Sequence, residues 1–105
     1  MKYFLLMVLS ITLCGSELKL ESVFKKKTFE RPVGLLEAGQ DSWYVLEQRG
    51  KIWFCKGGKK ESLVVDLSKT LGTSNEEGLL CMVKSPEFLS DKQVYIYYSN
   101  KSPRQ

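Results

Sequence analysis

Trp43-Tyr44-Val45-Leu46-Glu47-Gln48-Arg49-Gly50-Lys51-Ile52-Trp53-Phe54-Cys55-Lys56 is the stretch that decides the fold. Two runs rich in β-branched and aromatic residues flank Arg49-Gly50, and a tight turn between such runs makes a hairpin. Successive side chains of a strand point to opposite sides of its sheet. Trp43 and Val45 therefore share one face and Tyr44 and Leu46 the other, while Ile52 and Phe54 oppose Trp53 and Cys55. A half-exposed strand would place polar residues on one of those faces. Here both are apolar, so the sheet requires cover on both sides.

Similar runs extend outward from this hairpin. Val33 to Ala38 precedes it, and Ser62 to Leu67, Gly78 to Lys84 and Gln93 to Ser99 follow. Gly39-Gln40-Asp41, Lys56-Gly57-Gly58 and Leu89-Ser90-Asp91 separate runs with turn-forming residues. The first four runs recur at roughly ten-residue intervals, the spacing of an up-and-down antiparallel meander. Beyond the first residues, no window holds apolar side chains at helical spacing for the length a helix needs. The expected class is all-β. Val94, Ile96 and Tyr98 oppose Tyr95 and Tyr97, so the last run is also apolar on both faces. Propellers cover such sheets by stacking each blade between two neighbours. A β-sandwich is the alternative, although its outer faces would be polar.

The chain has 105 residues, 43% of them hydrophobic, enough for one small domain with a thin margin for folding alone. Its formal charge of +4 comes from 16 Lys and Arg against 12 Asp and Glu, scattered in both signs. Lys25 to Lys27 and the group Lys56, Lys59 and Lys60 are short and lack a base-reading motif, so no nucleic-acid partner is expected. Lys25 to Lys27 are expected to link an outer strand near Leu18 to Phe24 with the first sheet. Histidine is absent. That removes imidazole acid–base chemistry, His-paired nucleophiles and imidazole zinc sites, and no catalytic residue is assigned.

Lys2, the apolar run Tyr3 to Leu13 and the small residues Cys14-Gly15-Ser16 follow the order of a secretory signal. The run is shorter than the roughly 20 residues of a spanning helix. Residues 1–16 are read as a signal peptide and 17–105 as a partial propeller domain. Cleavage after Ser16 would give a secreted or periplasmic chain; alternatively, Cys14 bears a lipid anchor, with its signal ending just before it. Export permits a disulfide between Cys55 and Cys81, but each also reads as a small buried hydrophobe in a strand. Asn100-Lys101-Ser102 matches a glycosylation acceptor, relevant only to a eukaryotic secretory route.

Two further stretches carry a resemblance. Arg31-Pro32-Val33-Gly34-Leu35-Leu36 leads to Trp43 to Glu47 and then Gly50-Lys51-Ile52. Asn75-Glu76-Glu77-Gly78-Leu79-Leu80 leads to Ser85-Pro86-Glu87-Phe88 and Val94-Tyr95-Ile96-Tyr97-Tyr98-Ser99. Their order and spacing resemble the glucose/sorbosone dehydrogenase family, over Phe29 to Ser99, in a pattern shared with hedgehog-interacting relatives that bind partners. The resemblance implies the first blade and part of the second of a six-bladed β-propeller. It also implies pyrroloquinoline quinone (PQQ) and calcium as cofactors, an aldose sugar as substrate and a His base.

Glu76 matches a position that faces the quinone in that family; it also reads as a solvated turn carboxylate. Glu77 stands where many relatives have Arg or Asn, and Ser85 where many have His. The catalytic His and the calcium ligands match nothing in this sequence. The expected function is therefore that of an exported fragment of a PQQ-dependent sugar dehydrogenase-like propeller, inactive alone. The alternative is a small secreted binding module of the non-enzymatic branch, using exposed sheet edges. Blade packing accounts for Trp43, Trp53, Tyr95, Tyr97 and Tyr98 better than a sugar-stacking platform does.

Overall fold

The hairpin around Arg49-Gly50 forms because Gly50 takes a left-handed turn, φ 109°, where its amide donates to Glu47 O at 2.9 Å. A side chain there would meet Leu71 and the Leu67–Ser68 backbone. β2 (Ser42–Glu47) and β3 (Lys51–Lys56) pair antiparallel from this turn, with Leu46 opposite Ile52 and Tyr44 opposite Phe54. β1 (Pro32–Gly39) adds to the far side of β2, and β4 (Lys59–Asp66) to the far side of β3. The result is the expected four-stranded meander, in the order β1-β2-β3-β4. A second sheet consists of β5 (Leu79–Lys84) and β6 (Val94–Tyr98). The computed structural model describes residues 15–25 and 27–101. The expected signal segment up to Cys14, Lys26 and Ser102 lie outside the described residues.

Among the described residues the regular structure is almost all β-strand, as the residue pattern predicts. One helical turn, α1 (Phe88–Asp91), occupies the Pro-x-Phe connection between β5 and β6. It ends at Lys92, whose φ of 57° reverses the chain into β6. Among the described residues no helix is long and apolar enough to cross a membrane.

The core lies between the two sheets. Leu46 and Ile52 from the meander meet Leu79 and Met82 from β5, with Leu71 beside them. Tyr44, Leu36, Val65 and Ile96 pack around that cluster. Full burial of one such aliphatic side chain contributes about 2 kcal/mol, so this seam holds the two sheets together.

The opposite face of the meander has a different cover. Phe24 and Phe29 meet edge-on at 5.2 Å between ring centroids, and with Pro32 they line a depression over Leu35 and Val45. Lys60 Nζ lies 4.4 Å from the ring centres of both Phe29 and Trp53, a cation between two π faces. The strand expected near Leu18 to Phe24 is not formed. Leu18 and Leu20 are fully exposed, and among the described residues no strand pairs with that segment to satisfy its backbone. No disulfide joins Cys55 to Cys81; Cys55 is buried in the meander and Cys81 is exposed on β5.

Candidate functional site

The loop from Thr73 to Gly78 carries Glu76 and leads from the meander into β5. Gln48, at the end of β2, positions it. The Gln48 Nε2 donates to the carbonyls of Asn75 and Glu77, each at 2.9 Å, and its Oε1 accepts from Arg31 Nε at 2.8 Å. The Leu79 amide donates to Gln48 O at 2.9 Å, so one buried residue links the entry to β1, the end of β2 and the start of β5. Gly78 is required at the closest approach: φ is 138°, and a Cβ would collide with the Gln48 carbonyl. Gly78 N also donates to Ser99 Oγ at 2.6 Å, which ties the loop to the end of β6.

Within the loop the two adjacent carboxylates behave differently. Glu77 turns inward and accepts from Ser74 Oγ at 2.6 Å and Ser74 N at 3.1 Å. Arg49 reaches over to Thr73 O at 2.9 Å. Glu76 is exposed at the turn. Sequence reasoning singled out Glu76 and passed over Gln48, because an amide beside Arg49-Gly50 looks like an ordinary turn residue. Its sequence signal is limited to its place just past the apolar run Trp43 to Leu46.

A second polar group lies on the other face of the meander. Glu47 is buried, accepting from Glu30 N at 2.8 Å with Lys60 Nζ at 3.8 Å. These contacts fasten the segment bearing Phe29 over the sheet, so Glu47 and Lys60 act as an anchor between layers. Ser85 has a comparable local role at α1, donating through Oγ to Asp91 Oδ2 at 2.5 Å. The Gln93 amide and the Ser85 hydroxyl, in that order, hold the Asp91 carboxyl below its ordinary range.

Among the described residues no three Cys, Asp or Glu side chains gather closely enough to share a metal ion. Glu76 offers a single exposed carboxylate, and Glu77 is committed to Ser74. The loop leaves the Glu76 carboxylate exposed at the end of two stacked sheets.

The chain matches no family model, no curated protein and no solved structure.

Proposed function

We propose that the chain supplies the first blade and the opening strands of the second blade of an exported propeller similar to the glucose/sorbosone dehydrogenases. The supporting observation is that β5 and β6 lay one apolar face on the meander and turn another outward. Met82 and Ile96 face the seam, while Cys81, Val83, Tyr95 and Tyr97 are exposed on the other side. A sheet with this pattern is built to be stacked again. In this reading Glu76 sits at the mouth of the ring, and quinone, calcium and the sugar-oxidising base require strands beyond the two sheets described here. The 105-residue chain is then inactive alone.

Incubating the chain with PQQ, calcium and a panel of aldoses tests this reading. No turnover is expected, and oxidation of any aldose would contradict it. The coding sequence beyond codon 105 supplies the complementary test: further strands and a histidine are expected there. Their absence would favour the second reading, a small secreted binding module. The exposed Tyr95 and Tyr97 favour that alternative, since aromatic residues are enriched at binding surfaces. A monodisperse, protease-resistant monomer would support it, and aggregation through the open face would support the blade.

A further inference from the structure

The free edge of β6 borders a cleft between the two sheets. Ser85 N donates to Gln93 O at 3.0 Å, and Ser99 N donates to Gly78 O at 2.9 Å. Tyr95 and Tyr97 stand opposite Val83 and Cys81 between those two bonds. Odd-numbered residues of β6 thus turn their main-chain groups toward β5. Strand geometry sends those of Val94, Ile96 and Tyr98 the opposite way, where no described strand pairs with them.

The cleft on that side measures about 340 Å³. Val94 and Ile96 form one wall, Val64 and Val65 of β4 the other, and Ile52 and Met82 the floor. It is continuous with the core, because Ile52 and Met82 belong to the buried seam. The unpaired main-chain groups of the edge therefore point sideways along the sheet, beside the trough that the Val94 and Ile96 side chains line. Satisfying both at once calls for an extended backbone with apolar residues at every second position.

We propose that this trough binds an extended β-strand, which pairs with the edge of β6 and lays its apolar side chains over Ile52 and Val65. The occupant is a strand resembling β3. β5 packs over β1 and β2, so β5 and β6 repeat the first two places of the meander, and the next place is that of β3. The inference deepens the blade reading, which guides the choice of probe. The edge and trough do not depend on quinone chemistry. Failure of sugar oxidation in a longer protein would leave strand binding intact, and failure of strand binding would leave that chemistry untested.

The probe is a synthetic peptide of residues 50–57 carrying Cys55→Ser, titrated into the full chain while backbone amides are followed by NMR. Saturable binding is expected, with the largest shifts and slowed hydrogen exchange at Val94, Ile96 and Tyr98. A peptide N-methylated at alternate residues, unable to donate along the edge, should bind at least about tenfold more weakly. Val64→Lys, on the exposed wall of the trough, should weaken the unmodified peptide without unfolding the chain. Absence of binding would overturn the proposal. So would equal affinity of the N-methylated peptide, which would mark an apolar cleft only, or shifts confined to the Tyr95–Tyr97 face or to the edges of β1 and β4.

Discussion

The β2–β3 hairpin of the meander and the β5–β6 pair are made of the same kind of strand, apolar on both sides, yet they meet different surroundings. One face of the meander is closed by the second sheet, and the other is partly closed by the segment carrying Phe24 and Phe29. The β5–β6 pair is closed on one face only: Tyr95 is 58% exposed and Tyr97 69%, whereas Leu46 and Ile52 are almost wholly buried. Equal hydrophobicity has thus produced unequal burial. The hydrophobic effect acts on area removed from water, so residues on the outer face contribute to folding only when another layer arrives.

The most severe way to break this comparison is at the seam where both regions bury the same residue. Leu79→Ala leaves a cavity against Leu46 and Leu71 and should cost about 3 to 4 kcal/mol, read as a lowered urea midpoint. Gly78→Ala should follow at about 2 to 3 kcal/mol, because the new Cβ must displace the Gln48 carbonyl and the loop that Gln48 holds. Loss of β5–β6 amide protection before that of the meander would show that the two sheets separate there.

On the second face of the meander, Lys60→Met removes the cation between Phe29 and Trp53 and the counter-charge near Glu47. A cost of about 1 to 2 kcal/mol is expected, with faster proteolysis ahead of Glu30. Tyr97→Ser, on the open face, should change stability by less than about 0.5 kcal/mol while reducing self-association. A large loss would mean that this face is already covered.

The smallest effect is that of acid, which touches both regions. In the meander, the Ser68 hydroxyl and amide lower the Asp66 carboxyl, and at α1 the Gln93 amide and Ser85 hydroxyl lower that of Asp91. Each contributes stability that is present in full above the ordinary value of 3.8 and is lost as pH falls through the lower folded value. Both are exposed, so the effect is small. NMR titration of the two carboxyls should place both midpoints below 3.8.

The six strands were legible because short runs rich in β-branched and aromatic residues, bounded by Gly, Asp and Lys, leave little choice of structure. Two-sided hydrophobicity also predicted that more than one layer was needed. The cover supplied by Phe24 and Phe29 was not legible, since isolated aromatics among lysines have no period and their partner, Lys60, lies more than thirty residues away. Leu18 and Leu20 alternate as a strand would but lack a neighbour among the described residues, which local sequence cannot reveal. At the candidate site, Glu76 was visible as a charge before Gly-Leu-Leu. The role of Gln48 was hidden, because it depends on the second sheet returning to the end of β2.

Thiol alkylation of the native chain, read at each cysteine by peptide mass spectrometry, tests the contrast between the two sheets most directly. Cys55 has no exposed surface and Cys81 lies on the uncovered side of β5. Cys81 should react at the rate of an accessible thiol and Cys55 only on unfolding. Equal protection of both would contradict the account, showing that the outward face of the second sheet is already enclosed.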